Sequence, residues 1–560
     1  MTIENPHDHV PLMFQAQANG RCQIQRLQRY SDPQAVQWTD EWVDKAYPEL
    51  PTLPENVQTR EYTINWRLIT NAGMDDIAIR PVIGARGWPF YPGSSMKGIF
   101  RRACNEAQAR KYCGSVGSRS DFKPGSLRFH GGYPIDDTWT ENLVDIVHPQ
   151  QAWQVETPNT RDKKGGAFAQ ISLYQPTMQF GISSDAADVD WDEVWGIWEQ
   201  AIATGLGGRV CAGYGQVKGA KRDAAKLLYT TFLKGQGQAP KRLDGKGEFR
   251  PNIFRAAVRG HALRIFAGLT DERTAQRLVE TLFGGVRGKG TVGLVILQFQ
   301  TSKLSMDMFG SGSYAQPTYE VEGQLSWLLA KKVDGDLATL KRLIGKLTQF
   351  AMVLGGFGKS WRRADHRLFF DEYYEDGYKG LIGCHWQWTD PRYWIQDVQV
   401  HRIRDFHVLI DRTQQAAIAW MATQGVKPQT VQRPFLREAW HPQNVQVWGR
   451  MAADREESEA IHWFHGPYQQ AMRKLGVPEG SIYKSSLTGQ VSQVGRVWHR
   501  MYPWIKVVAD PSDPKKPKPV KTAQFIELLT IFPDESAESE RFLEFLADGP
   551  FEFERLWGGA

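Results

Sequence analysis

Residues 90–104 read FYPGSSMKGIFRRAC, and residues 251–264 read PNIFRAAVRGHALR. The first stretch runs a Pro-Gly turn and two serines into a helical pattern with Lys97 on its first turn. Such a start has two readings. Ser94 or Ser95 can cap an ordinary helix. Alternatively, the unpaired N–H groups of the first turn can receive phosphates, aided by Lys97, Arg101 and Arg102. Setting Lys97 on Arg259 brings Gly98 onto Gly260 and Arg102 onto Arg264, so the second stretch is a degenerate copy of the first.

Two more landmarks follow each copy in the same order. A glycine after the helix leads into an apolar strand, in YCGSVGSRSDFKPGSLRF (112–129) and LFGGVRGKGTVGLVIL (282–297). A glycine-rich loop with basic residues comes next, in GLGGRVCAGYGQV (205–217) and VLGGFGKSWRRADHRLF (353–369). Lys97 precedes Gly207 by 110 residues and Arg259 precedes Gly355 by 96. Each half opens on a strand-like run, EYTINWRLIT (61–70) and AKLLYTTFLKG (225–235). The segments before the glycine loops, 191–205 and 337–356, place apolar residues at helical spacing. This order predicts an α+β fold with antiparallel sheets. The landmarks divide the chain into a first domain over 1–222, a second over 223–395, and an extension or elaboration of the second over 396–560. Within the last, ADPSDPKKPKPVK (509–521) reads as an exposed tether.

The chain has 560 residues, 41% hydrophobic and 12% aromatic, enough for well-packed cores. A net charge of +6 is compatible with an acidic partner. The five scattered cysteines make no disulfide framework, and Cys104 and Cys113 are too far apart in sequence for a zinc knuckle. The N-terminus lacks the layout of a signal peptide, and no apolar run is long enough for a membrane span. A cytoplasmic protein without a membrane partner is expected.

Neither glycine loop fits a P-loop, and no βαβ unit frames a dinucleotide fingerprint. The glycines Gly207, Gly208, Gly355 and Gly356 can let the chain turn beside a polyanion, with Arg209, Lys359, Arg362 and Arg363 on its phosphates. They can equally be plain helix-to-strand connections with solvated arginines. HExxH and GxSxG motifs are absent, and no Cys/His pair has the pattern of a catalytic dyad. Asp75 and Asp76, in TNAGMDDIAIRP, lie between the first strand and the basic helix, where a carboxylate could reach a bound backbone. A solvated turn is the alternative. Asp244 and Glu248 occupy the corresponding loop of the second half, and the same two readings apply.

PGSSMKG closely resembles the helix-start motif of the repeat-associated mysterious protein (RAMP) superfamily, and GGRVCAGYGQV resembles its glycine-rich loop. LFGGVRGKGTVGLVIL is similar to the helix end and strand of backbone subunits of type III CRISPR effector complexes, and DIVHPQ (145–150) to a further segment of some members. The resemblance covers roughly residues 60–370, and its doubling is that of a tandem backbone subunit, with subtype III-D as the expected setting. It implies two ferredoxin-like (RRM-like) domains with inserted thumb β-hairpins and a C-terminal extension. It further implies that basic helix and glycine loop hold CRISPR RNA. In the second copy the serines are missing, and Arg255, Arg259 and Arg264 keep the charge.

In catalytic members of this family a loop aspartate supports cleavage of the complementary target RNA, with a divalent metal (Mg or Mn) and no organic cofactor. The neighbouring 2′-hydroxyl attacks. Asp75 fits that position, with Asp76 second, and Asp244 is the counterpart in the second domain. The expected partners are CRISPR RNA, target RNA and other effector subunits. A non-catalytic guide-binding subunit is one alternative. A stand-alone RNA-processing endonuclease is another, for which only His261 lies near the helix start.

Overall fold

A computed structural model of the chain describes residues 33–70, 74–75, 78–79, 81–115, 123–147, 168–221, 223–242, 244–285, 291–312, 315–331, 333, 336–358, 365, 383–465, 482, 485–490, 493–511, 513–549 and 551–559. They form two compact units that divide between Lys226 and Leu227.

In the first unit, helix α1 (Pro33–Lys45) precedes strand β1 (Gln58–Thr63). Helices α2 (Gly93–Ala103) and α3 (Glu106–Cys113), strands β2 (Leu127–Pro134) and β3 (Thr177–Ser184), and helix α4 (Trp191–Ile202) follow. β3 lies between β1 and β2 and is antiparallel to both. On the other side of β1, the Lys218 N–H donates to the Thr63 carbonyl and the Asn65 N–H to that of Gln216. With the bridge Ile64↔Val217, this is a vestigial fourth strand. The connectivity is therefore strand, helix, strand, strand, helix, strand.

Apolar spacing explains the helices. Met96 and Phe100 are the buried pair of α2, one turn apart, and α4 buries Val194, Trp195, Ile197, Trp198, Ala201 and Ile202. Phe180 of β3 packs between Tyr91 and Trp198, with ring centroids at 5.6 and 5.1 Å. Burying each large side chain contributes about 1.5–3 kcal/mol, more than helix propensity supplies at any one position.

The second unit holds the same connectivity twice. Strand β4 (Leu227–Gln238) leads to helices α5 (Asn252–Ala267) and α6 (Glu272–Phe283), then to the hairpin β5 (Val295–Phe309) and β6 (Gln316–Leu329). Helix α7 (Leu337–Phe350) and strand β7 (Cys384–Trp388) complete the module. Its strands lie in the order β5-β6-β4-β7, all antiparallel. Helix α8 (Asp405–Thr423) packs on α7.

Residues 446–558 then repeat the plan. Strand β8 (Gln446–Ala452), helix α9 (Ala460–His465), hairpin β9 (Val497–Asp510) and β10 (Asp513–Ile531), helix α10 (Ala537–Asp548) and strand β11 (Glu554–Gly558) follow in turn. Their sheet order is β9-β10-β8-β11, again antiparallel. In both complete sheets the spatial order is second, third, first, fourth strand. The C-terminal part is thus a third copy of the module, although its sequence carries none of the three landmarks.

The segment 509–521, expected as a tether, belongs to the β9–β10 ribbon, where Ala509 pairs with Pro517 and Val507 with Pro519. Pro517 and Pro519 alternate, so both donor-less nitrogens face the same edge, and the ladder survives because that edge is the outer one. The second landmark also has a physical cause. A Cβ on Gly125 would stand 2.3 Å from the Tyr112 carbonyl oxygen, and one on Gly293 would stand 2.4 Å from the Gly284 nitrogen. In both of these modules the end of a helix is pressed directly against the start of the next strand.

Candidate nucleic-acid interface

Helix α2 begins without a side-chain cap. Pro92, in extended conformation, occupies the cap position, and the Met96 N–H bonds its carbonyl at 2.9 Å. Ser94 and Ser95 therefore lie inside the first turn and do not cap it. Both are exposed, as is Lys97. The N–H groups of Gly93, Ser94 and Ser95 stand at this uncapped end, where the helix carries partial positive charge.

The glycine loop meets the helix start. Tyr91 is buried, and the Gly207 backbone N–H faces its hydroxyl. Burial pushes that hydroxyl up to about 12, against the opposing influence of Gly207 and Arg102. Gly207 and Arg102 are themselves exposed. Gly208 is anchored by its N–H on the Ile69 carbonyl at 2.8 Å, and Arg209 adopts a left-handed φ of 56°. One wall of the first module thus presents Ser94, Ser95, Lys97, Arg102 and Gly207.

The segment that carries the candidate acid leaves from Thr70, next to the Ile69 anchor. The Val82 N–H donates to Thr70 Oγ1 at 2.9 Å, closing the base of the segment one residue from the Ile69 anchor. Within it Met74–Asp75 pairs with Ala78–Ile79 as a two-residue ribbon, so Asp75 sits on a strand end. Asp76 lies outside the described residues, as do Lys359, Arg362 and Arg363. Among the described residues no three His, Cys, Asp or Glu side chains gather as a metal-ligand set.

Several predicted contact residues are used inside the protein instead. Arg101 donates to the Gly114 carbonyl at 2.9 Å and closes the C-terminus of α3. Arg255 does the same for α6 through the Phe283 carbonyl. Arg259 is half-buried on α5. Arg264 is buried in an ion pair with Glu438 at 2.6 Å and lies over the Trp498 ring, so its charge is spent in the core. Gly355 and Gly356 are buried too, and a Cβ on Gly356 would stand 2.6 Å from the Arg500 guanidinium. The interface expected at Arg264, Gly355 and Gly356 is therefore not at the surface.

The second module keeps the juxtaposition of helix start and loop. Phe254 of α5 and Phe357 of the loop pack with ring centroids 5.0 Å apart. Asp244 is exposed but engaged: Arg242 donates to it at 2.8 Å and the Lys246 N–H at 3.0 Å. The Arg242 hydrogen bond leads the influences that hold its carboxyl below the usual range. Glu248 forms a buried pair with Arg250 at 3.0 Å. His261 is buried between the rings of Phe350 and Trp498, at 5.3 and 5.4 Å, and faces no ligand surface.

The third module fills its own helix start. Glu527 of β10 accepts hydrogen bonds from the N–H groups of Glu459 and Ala460, at 3.1 and 3.0 Å, and from Ser458 Oγ at 2.6 Å. Arg450 and His499 pair with it at 2.7 and 3.0 Å. Burial alone would raise its pKa, but His499, Arg450 and Ser458 outweigh burial and hold the carboxyl at about 2. A protein carboxylate takes the place where the first module is open.

Sequence reasoning missed Tyr91 and Glu527. The aromatic ahead of Pro92-Gly93 was a usable signal for the first. Glu527 lies in an apolar strand far from α9 in sequence and gave none.

No family model matches the chain, and no curated protein matches it. Among the described residues no helix is long and apolar enough to cross a membrane. Solved structures are similar over parts of it. A chain of the type III-B Cmr-beta complex bound to cognate target RNA is 20% identical, with 29% of this chain and 57% of that one covered and a TM-score of 0.21. The present chain thus spans 57% of the length of that relative. Cmr1 from Pyrococcus furiosus, in its apo form, is 11% identical over 59% of this chain and 100% of its own, with a TM-score of 0.30. A chain of a type IV-B CRISPR complex is 20% identical over 30% of this chain and 93% of its own, with a TM-score of 0.17.

Proposed function

We propose that the chain is a subunit of a type III CRISPR ribonucleoprotein effector, whose ferredoxin-like modules hold CRISPR RNA by its phosphates. The observation that carries this reading is the uncapped first turn of α2, with exposed Lys97, set against exposed Gly207 through Tyr91. Backbone N–H groups, helix dipole and one ammonium together suit a phosphodiester. These are also the residues whose motifs resemble the RAMP superfamily.

Cleavage of a complementary target RNA belongs to the first module in this reading. RNA lying on α2 and the glycine loop passes the base of the ribbon that carries Asp75. The 2′-hydroxyl beside the scissile phosphate attacks phosphorus and loses its proton, and the 5′-oxygen leaves and gains one. A 2′,3′-cyclic phosphate and a 5′-hydroxyl result, with protein supplying position and charge. Asp244, engaged by Arg242, favours the second reading for the second module, a holder of guide RNA without chemistry.

The test is RNA binding by the purified chain, followed by cleavage of labelled complementary RNA in the assembled complex with Mg or Mn. Tight, salt-sensitive binding that weakens in Lys97→Ala supports the reading. Binding of RNA unaffected by Lys97→Ala overturns the phosphate grip.

A further inference from the structure

Asp145 opens the DIVHPQ stretch. It lies on a short antiparallel ribbon, Val144–Val147 against Phe168–Ile171, directly opposite Gln170. Both residues are 0% exposed. One carboxylate oxygen of Asp145, Oδ2, accepts from Gln170 Nε2 at 2.8 Å and from the Tyr214 hydroxyl at 2.6 Å. Tyr214 belongs to the glycine loop, 69 residues further along the chain.

The loop is pinned at its ends by backbone and at its tip by that side chain. Asn65, Arg67 and Ile69, alternate residues of one extended run, meet it in turn. The Asn65 N–H donates to the Gln216 carbonyl at 2.7 Å. The carbonyls of Arg67 and Ile69 accept from the Gly215 and Gly208 N–H groups, at 2.7 and 2.8 Å. Between Gly208 and Gly215 the tip closes a turn on itself, with the Ala212 N–H on the Arg209 carbonyl at 2.8 Å and the Gly213 N–H on that of Val210 at 3.0 Å. Tyr214 ties this turn down: its ring packs on Trp66 with centroids 4.4 Å apart, and its hydroxyl reaches Asp145. Gly207 and Arg209, at left-handed φ of 72° and 56°, lie on either side of the pinned Gly208.

A packed apolar residue would fill the place of Asp145 at less cost, because a carboxylate loses its hydration on burial. What the carboxylate supplies is direction. Charge-assisted hydrogen bonds are shorter and stronger than neutral ones, and with both donors on one oxygen the Tyr214 hydroxyl has a single seat. The seat is itself held. Arg67, 0% exposed, donates to the Asn142 carbonyl at 2.9 Å and to Ser172 Oγ at 3.0 Å, just beyond the Val144–Ile171 pair of the ribbon. A loop fixed in this way receives a phosphate without first having to be ordered.

We infer that Asp145 is a positioning residue of the proposed RNA grip: through the Tyr214 hydroxyl it holds the tip of the glycine loop, and with it Gly207 and Arg209, in the shape that meets phosphates. The inference rests on the proposed RNA-binding role, and its test separates the two. The full chain is titrated with fluorescein-labelled single-stranded RNA at several salt concentrations, as wild type, Tyr214→Phe, Asp145→Ala, Asp145→Asn and the double variant Asp145→Ala/Tyr214→Phe. Tyr214→Phe weakens binding roughly tenfold by loosening the loop. Its slope of log K against log salt stays that of the wild type, because no phosphate contact is lost, whereas Lys97→Ala makes the slope shallower. The double variant binds no more weakly than Asp145→Ala, since the two groups act as one unit. Asp145→Asn, whose one amide oxygen can take both donors, binds RNA more tightly than Asp145→Ala. Where Asp145→Ala does not fold, Tyr214→Phe, which keeps the ring, decides alone. A Tyr214→Phe chain that loses thermal stability but binds RNA as the wild type does, while Lys97→Ala still weakens binding, overturns the inference and leaves the α2 grip standing. Additive losses in the double variant overturn it as well. A wild-type chain that binds no RNA overturns both.

Discussion

Gly93 and the Phe129 carbonyl are in such close approach that a Cβ on Gly93 would stand 2.0 Å from that oxygen. The contact seats the first turn of α2 directly on β2, so the glycine of the Pro-Gly turn is demanded by packing and not by the turn alone. Gly93→Ala is expected to lower stability by at least about 2 kcal/mol, because a backbone atom cannot yield as a side chain can. Chemical denaturation of the full chain measures it. A midpoint equal to the wild type would contradict this seating.

Lys97 and Arg264 are both basic residues of the doubled helix stretch but lie in opposite environments, one exposed and one buried against Glu438. Lys97→Ala should leave stability unchanged and reduce the salt slope of RNA binding by about 0.7. Arg264→Met should cost about 3 kcal/mol, because it leaves the buried Glu438 carboxylate only the longer Arg437 pair at 3.3 Å, with the salt slope unchanged in the folded fraction. Denaturation curves and fluorescence titrations on both variants separate the roles.

Asp75 and Asp244 are expected to behave differently in cleavage by the assembled complex. Asp75→Ala should abolish a product band, and Asp244→Ala should leave the pattern intact, because Arg242 and the Lys246 N–H already hold that carboxylate. Asp76→Ala is run beside them as the second candidate. Loss of a band on replacing Asp244, with none lost on replacing Asp75, would reverse the assignment. Analysis of the product ends tests the 2′-hydroxyl route.

Glu527 makes the third module acid-sensitive. Its folded carboxyl titrates at about 2, below the ordinary value of 4.5, so its contribution is present above pH 4.5 and is lost as pH falls towards 2. Glu527→Gln removes that ionisation. Tryptophan fluorescence between those limits, near Trp463 and Trp498, should show a steep loss of structure in the wild type and a flatter one in the variant. The variant should also be less stable at neutral pH, because Arg450 loses its buried charge partner.

The legible part of this protein was local. PGSSMKG announced a helix start, and the apolar spacing of 191–205 and 337–356 matches α4 and α7. Other features were decided by partners remote in sequence. Arg264 reads as a free cation until Glu438, 174 residues on, neutralises it in the core. The 509–521 segment reads as a tether, since proline and lysine are poor strand formers, until pairing with β9 supplies a ladder that needs no proline N–H.

Sequence alone determined the doubled landmarks, the α+β class and the basic character of the α2 start, because each is read from residues a few positions apart. Only the tertiary structure decided that the module occurs a third time. Strand order is set by hydrogen bonds between distant segments, which need only apolar faces and a compatible register, and many sequences provide those without a shared motif. It also decided which helix start is open. A carboxylate from β10 fills that of α9, while Tyr91 and Gly207 leave that of α2 at the surface.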